Sequence, residues 1–553
     1  MSMETDRITE AFYEKPKRIV TWSGIPVKEI YTPKDIEGID YTNDIADAGN
    51  YPFTRGIHPN MYRGRLWTKR AEWGYGSAED SNLLFKTLIK EGATGITIYR
   101  DLPSGLGIDS DHPLARGEVG ECGPPLCSLE DMEAVTEDLP LDKLSVTIAC
   151  ASSPSLVILA QYLATAERRG ISQSNLRGTL TNDAIVGHFC YSPVVNPVNL
   201  AVKVSTDIIE YCVKNMPLWN PLYVSSFYNL REAGALTAPQ ELAFGLGVAL
   251  TYIEGVLDRG LKIDDFAPKA SVYAQAGIDI FEEAAKLRAL RKMWAKIMRE
   301  RFDAKDPRSY RLRIAIQTTG SQLVPQQPQN NIIRIAYQQL AAVLGGVQSL
   351  TSSTYDEAIS VPTKEAQVSA LRSQQILAYE TSVPLVVDPL AGSYYIEWLT
   401  NEIENEATKI LEEIDAMGGM AKAIESGWVE RQIVEASFKY QRETESGERI
   451  LVGQNRFVSP PEEDVLPGGV VRVLPEVEER QITKVKELKQ KRDHQRVKKA
   501  IGDLRVRAEA GENLLPPIIE CVKAYATIGE IMGTVRESLG YSYDPFGERK
   551  SGF

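Results

Sequence analysis

KASVYAQ (269–275), FEEAAKLRALRKMWAKIMRERF (281–302) and RLRIAIQTT (311–319) read in turn as strand, helix and strand. The same alternation runs outward from there, from about residue 78 to about residue 398. AEDSNLLFKTLIKEG (78–92) is an amphipathic helix and TGITIYRD (94–101) a strand. Further strand candidates are LSVTIACA (144–151), RGTLTND (177–183), LYVSSF (222–227), GGVQSLTSS (345–353) and VPLVVDP (383–389), and PQELAFGLGVALTYIEGVLDRG (239–260) is another helix. That makes eight strand candidates. Eight strand–helix repeats without a dinucleotide glycine motif predict an α/β fold, a (β/α)8 TIM barrel rather than an open doubly wound sheet.

Barrel centres are ordinarily filled with Val, Ile and Leu. Here hydroxyl residues recur: Thr94, Thr97, Thr179, Thr181, Ser225, Ser226, Thr318, Thr319, Ser349, Ser352 and Ser353. Two readings stand side by side. Either these residues line a bore that accepts an elongated polar guest, or they cap strand ends.

The chain has 553 residues, so one large domain with appendages is expected. With 43% hydrophobic and 25% charged residues it has an ordinary globular composition. A net charge of −13 argues against nucleic acid or an anionic membrane as the main partner. No apolar run reaches the length of a membrane span, and the N-terminus lacks a signal-peptide core, so a cytoplasmic protein is expected. The six cysteines are scattered, and only Cys122 and Cys127 lie close, which reads as reduced thiols rather than a zinc site. No P-loop is present.

Three regions are expected. Residues 1–76 form an N-terminal arm, 77–400 the barrel, and 401–553 a helical extension. Within the extension SPPEEDVLPGG (459–469) is a linker and 480–511 a charged, solvated helical stretch. The last segment, ENLLPPIIECVKAYATIGEIMGTVRESLG (512–540), is apolar enough to dock on the barrel or on a partner.

YPFTRGIHPNMYRGRLWTKR (51–70), GIDSDHP (107–113), GEVGECG (117–123), LKIDDFAPK (261–269), LGGVQSL (344–350), DPLAGSYYIEWLT (388–400) and GGMAKAIESGW (418–428) occur in this order. In these blocks the chain resembles the large subunits of the methylmalonyl-CoA mutase family, whose relatives include isobutyryl-CoA and 2-hydroxyisobutyryl-CoA mutase. The resemblance covers about residues 50–540. It implies an acyl-CoA mutase that performs a radical 1,2-rearrangement with adenosylcobalamin. The family's cobalt-ligating motif is D-x-H-x-x-G. The residues two before His58, His112, His188 and His494 are Gly56, Ser110, Val186 and Arg492. The expectation is therefore a chain without a cobalamin-binding domain, whose cobalt is ligated by a separate small subunit. The expected assembly is a heterotetramer around a homodimer of large subunits. The resemblance leaves open whether a GTPase chaperone loads the cofactor.

Residue by residue, the resemblance implies CoA contacts at Met61, Arg65, Thr68, Arg70, Thr97, Lys269 and Ser271. Arginine suits phosphate through its planar fork, and Lys269 stands where arginine is usual. It implies cofactor contacts at Arg100, Leu102, Glu232, Gly320 and Glu357, and a catalytic or acyl-pocket role for Tyr228, Gln317 and Tyr273.

Departures from the family pattern concentrate in the acyl pocket. Glu72 falls where a tyrosine presses on the substrate. Tyr191 aligns with the arginine that pairs with the free carboxylate of methylmalonyl-CoA. Asn229 replaces a histidine bonded to the thioester carbonyl, and Thr181 replaces a glutamine. An unpaired buried carboxylate costs roughly 3–5 kcal/mol, so methylmalonyl-CoA is disfavoured unless Arg100 supplies a relocated cation. A hydroxylated or amino-bearing acyl group would satisfy Glu72. The expected function is a mutase acting on a polar acyl-CoA without that free carboxylate. The alternatives are an ordinary methylmalonyl-CoA mutase large subunit and a non-catalytic structural paralogue.

Overall fold

The computed structural model describes residues 19–72, 74–190, 195–460 and 469–550. Its sheet contains β1 (Thr68–Ala71), β2 (Gly95–Ile98), β3 (Ser145–Ile148), β4 (Gly178–Leu180), β5 (Trp219–Asn220), β6 (Tyr223–Val224), β7 (Ser271–Ala276), β8 (Arg313–Thr318) and β9 (Ser349–Thr351). Every pairing is parallel, in the order β5-β4-β3-β2-β1-β9-β8-β7-β6. β5 and β6 are one extended segment interrupted at Pro221, which has no N–H to give a ladder. Their continuity in the chain brings the two ends of the sheet together, so the nine strands form the eight staves of a parallel α/β barrel.

Alternation along the strands sorts the side chains. Ile96, Ile98, Val146, Ile148, Leu180, Val272, Ile314, Ile316 and Leu350 are at most 1% exposed and pack in the core between sheet and helices. Burial of each such side chain stabilises the fold by about 1.5–3 kcal/mol. The residues between them face the bore. Capping boxes start the outer helices, Ser77 with Asp80 for Ala78–Lys90 and Thr237 with Gln240 for Ala238–Leu257.

Two strand expectations need correction. Thr68–Ala71, which the sequence reading placed ahead of the first strand, is itself β1. Its residues are charged because Arg70 faces a polar bore, while Lys69 turns outward and lies 5.3 Å from the centre of the Tyr379 ring. VPLVVDP (383–389) is not a strand: Ser382 has φ 62° and a short 3-10 turn, Val383–Leu385, follows. Leu385 and Val386 are 61% and 60% exposed, so this apolar run lies on the surface.

The charged 480–511 stretch forms two helices, Pro475–Lys491 and His494–Glu509, separated where Asp493 caps the second through the N–H groups of Gln495 and Arg496. The last apolar segment docks on the barrel. Helices Leu515–Lys523 and Ile528–Ser538 bury Ile518, Val522, Ile531 and Val535 in the main core. Asp109 accepts hydrogen bonds from Thr527 Oγ1 and Gly529 N, each at 2.8 Å, and His112 pairs with Asp544 at 3.1 Å. The arm is fastened by Trp22 N to Asp279 at 3.1 Å and Ser23 N to Glu282 at 2.9 Å. Among the described residues no helix is long and apolar enough to cross a membrane.

Candidate active site in the barrel bore

The hydroxyl residues divide between the bore lining and the strand ends. Thr97, Thr147 and Thr179 stand side by side on β2, β3 and β4, in register and on the bore side. They are 3–4% exposed, and the hydroxyls of Thr147 and Thr179 have no protein partner. Buried polar atoms without partners are costly, so this belt suits a guest bearing amide groups. Thr94, Ser226, Thr318 and Ser353 instead tie strand ends, for example Ser353 Oγ to Thr318 O at 2.8 Å. Thr181 also belongs to this group, because its hydroxyl accepts from Cys150 N at 2.7 Å.

The N-terminal end of the bore is cationic. Lys269 precedes β7, Arg313 begins β8 and Arg311 lies just before it. Among the described residues none of these three is ion-paired with a carboxylate. Arg313 donates to Pro268 O at 3.0 Å, and Lys269 to Pro217 O. Desolvation and the two arginines hold His58 below the usual histidine range. Burial also lowers Lys269, aided by Arg313 and Arg308. Such a cluster is poised for anionic oxygens. Met61 and Thr68 lie on the approach to this end, and Arg65 there is exposed. Thr68 is paired with Ser349, and Ser271 opens β7.

Arg70 sits inside the barrel. It makes four hydrogen bonds: Nε to Ser349 Oγ at 2.8 Å, Nη1 to Ile96 O at 3.1 Å and Ser145 O at 3.2 Å, and Nη2 to Ser145 Oγ at 2.9 Å. Gly95 makes room for it, since a Cβ there would lie 3.0 Å from Arg70 Nη1 and 2.9 Å from Ser145 O. With most of its donors engaged, Arg70 braces the staves rather than presenting a free fork.

The C-terminal end is acidic. Glu72 leaves β1 only 4% exposed, and its Oε1 accepts from Tyr99 and, at 3.3 Å, from Tyr273. Burial pushes its carboxyl up to about 8 against the pull of those bonds and of Arg70. The single Tyr273 hydroxyl proton is shared between Glu72 Oε1 and the nearer Gln317 Oε1, which leaves the Gln317 NH2 as the donor for a guest. The Tyr228 and Tyr223 rings stand 5.2 and 5.9 Å from that of Tyr273. Burial raises Glu357 to about 8 as well, with Glu232 and Glu72 adding like charge.

Glu232 accepts from Thr319 Oγ1 and, at 2.6 Å, from Ser321 N. Gln275 donates to Glu232 at 2.9 Å and accepts from Arg231 at 3.1 Å. Arg231 in turn pairs with buried Glu241, Glu282 and Glu283 at 3.2, 2.9 and 2.9 Å. Gly320 lies between the two carboxyls: a Cβ there would meet Glu357 Oε1 at 2.8 Å and Glu232 Oε1 at 3.2 Å. Paired carboxyls beside an open glycine form a cradle that fits hydroxyl and amide donors such as those of a nucleoside and a corrin periphery. The histidines are dispersed. His112 is held by Asp544, and His494 approaches Gln490 O at 3.4 Å on an exposed helix. Among the described residues no cluster of His, Cys, Asp and Glu could hold a metal ion.

Of the sequence-predicted residues, Glu72, Tyr228, Tyr273, Gln317, Glu232, Gly320 and Glu357 thus meet at one mouth. Asn229 follows Tyr228 on helix Ser226–Gly234, with its amide donating to Ser225 O at 3.1 Å. Arg100 follows β2, and Leu102, 38% exposed, opens the short helix Leu102–Leu106. Tyr191 lies outside the described residues. Sequence reasoning missed Tyr99, Gln275, Arg311 and Arg313. The last two stand in RLRIAIQTT, where they were visible but read only as the start of a strand.

A parallel barrel with a polar bore, cations at one end and buried acids at the other has the geometry of an enzyme site. The methylmalonyl-CoA mutase family model matches residues 20–541, and the chain belongs to that family. It is 41% identical over 536 residues to the 2-hydroxyisobutanoyl-CoA mutase large subunit of Aquincola tertiaricarbonis, covering 95% of this chain and 94% of that one. It is 38% identical over 552 residues to the methylmalonyl-CoA mutase of Rhizobium meliloti, covering 98% and 76%. The human mitochondrial methylmalonyl-CoA mutase is 36% identical over 523 residues, covering 94% and 68%. Mutases are isomerases, and membership places this chain among them.

Proposed function

We propose that this chain is the large subunit of an adenosylcobalamin-dependent acyl-CoA mutase. Its substrate would carry a polar acyl group without the free carboxylate of methylmalonyl-CoA. The observation that carries the proposal is Glu72, a buried acid whose carboxyl is raised to about 8 at the acyl end of the bore. At neutral pH it is mostly protonated and exchanges hydrogen bonds with a hydroxyl or amine. A substrate carboxylate there would face Glu72, Glu232 and Glu357, while Arg70 is held by the staves. The relative from Aquincola tertiaricarbonis is named for a hydroxylated acyl group, which agrees with this reading.

The remaining roles follow from position. Lys269, Arg311 and Arg313, with Arg65 nearby, would bind the CoA phosphates, and Thr97, Thr147 and Thr179 the amide-bearing arm. Gln317 would donate to the thioester carbonyl, with Tyr228 and Tyr273 packing the acyl group and excluding water. Glu232 and Glu357 on either side of Gly320 would hold the cofactor's hydroxyls and amides, with Arg100 and Leu102 at the same rim. When bound, adenosylcobalamin supplies the radical that starts the rearrangement. Its cobalt ligand would come from a small subunit, a reading supported by the relative from Aquincola tertiaricarbonis being named a large subunit.

The test is turnover by this chain with a cobalamin-binding small subunit, adenosylcobalamin and a panel of acyl-CoAs. Isomerisation of a hydroxy- or amino-acyl-CoA, with little of methylmalonyl-CoA, is expected. Fastest turnover of methylmalonyl-CoA would overturn the substrate assignment and restore the ordinary mutase.

A further inference from the structure

We infer that the structure holds a single bound water molecule behind Glu72, and that Gln367 is the positioning residue that fixes it. This goes beyond the mutase reading and does not rest on it.

A cavity of about 20 Å³ lies between the end of β1 and helix Lys364–Tyr379. Its polar lining is Arg70, Glu72, Ser352, Thr354, Gln367 and Gln374. That volume holds one water, which also needs two to four polar partners. Three candidate partner atoms are ready: Glu72 Oε2, Gln367 Oε1 and Gln367 Nε2 are all buried with no hydrogen-bond partner. Glu72 is 4% and Gln367 6% exposed, so bulk solvent does not satisfy them.

The neighbouring polar groups are already committed. Gln374 accepts from Trp67 Nε1 at 3.1 Å and donates to Ser352 Oγ at 2.8 Å. Thr354 donates to Asp356, and its N–H bonds Glu357 at 3.0 Å. Gln367 alone in this wall keeps a whole amide unpaired. One water accepting from Gln367 Nε2 and bonding Glu72 Oε2 relieves two of the three orphans.

The consequence is orientational. Glu72 Oε1 is held by Tyr99 and Tyr273 at the bore, and the water holds Oε2 at the back. The carboxyl is thereby fixed across the bore wall and presents one defined oxygen to the acyl end.

A crystal structure of this chain at a resolution that shows ordered water tests the site directly. One peak within hydrogen-bond distance of both Glu72 and Gln367 is expected. A dry cavity, or Gln367 turned to another partner, would overturn the inference. The infrared C=O stretch of the protonated Glu72 carboxyl, assigned with Glu72→Gln, gives a second reading. It should move upward in a folded Gln367→Leu protein, which removes the water's anchor, and an unmoved band would contradict the inference. Neither readout uses an acyl-CoA or a cobalamin, so failure here leaves the mutase assignment standing.

Discussion

The two ends of the barrel bore are built oppositely. At the N-terminal end Lys269, Arg311 and Arg313 are half-buried and meet backbone carbonyls and an aromatic face rather than carboxylates. At the C-terminal end Glu72, Glu232 and Glu357 converge, and burial keeps two of them protonated near neutrality. A ligand suited to this bore would carry phosphate at one end and uncharged hydrogen-bonding groups at the other. The Thr belt between them is indifferent to charge and satisfied by amides. On the proposed reading, polarity along this axis would set which way the substrate enters, and Glu72 which acyl groups are tolerated.

Arg231→Leu attacks the acidic end through its foundation: Glu241 and Glu283 keep Lys286, and Glu282 loses its ion pair among the described residues. Removing one partner of a buried charge network costs about 3–5 kcal/mol, which denaturant unfolding would show. The second prediction concerns pH. The Glu72 carboxyl lies higher in the folded than in the unfolded chain, so its stabilising contribution is full below about 4.5 and lost as pH rises through about 8. Glu72→Gln should therefore gain stability relative to the parent between pH 5 and 9, by on the order of a few kcal/mol, read from paired unfolding curves.

At the opposite end, Lys269→Ala with Arg313→Ala removes two charge-assisted donors, each worth about 1.5–3 kcal/mol. A loss of CoA affinity of at least about 100-fold is expected by calorimetry, steepest at low salt. The smallest effect is expected at Gly320→Ala. The new methyl would press on Glu357 and Glu232, weakening adenosylcobalamin binding by about tenfold while leaving CoA binding unchanged, as separate titrations would show.

The comparison also shows what the sequence could convey. Strands β2, β3, β7 and β8 were legible because their outward residues, Ile96, Val146, Val272 and Ile314 among them, face a continuous apolar layer. β1 was hidden because its inward face is Arg70 and its outward Lys69 is shielded by Tyr379. VPLVVDP carried the composition of a strand without a place in the ladder, since prolines at 384 and 389 remove donors. In the site, the family resemblance pointed to Glu72, Glu232, Gly320 and Glu357, and the structure brings them to one mouth. Tyr99 and Gln275 escaped because their roles depend on which strand neighbours which, and no spacing within one segment encodes that. The pull of burial on Glu72 likewise belongs to the closed barrel and not to any local motif.

The most direct test is a crystal structure of this chain with a non-hydrolysable acyl-CoA thioether bearing a terminal hydroxyl. The account predicts phosphate oxygens at Lys269, Arg311 and Arg313, the amide arm beside Thr147 and Thr179, and the hydroxyl bonded to Glu72. Phosphates at the carboxyl end, or a ligand lying outside the bore, would contradict it.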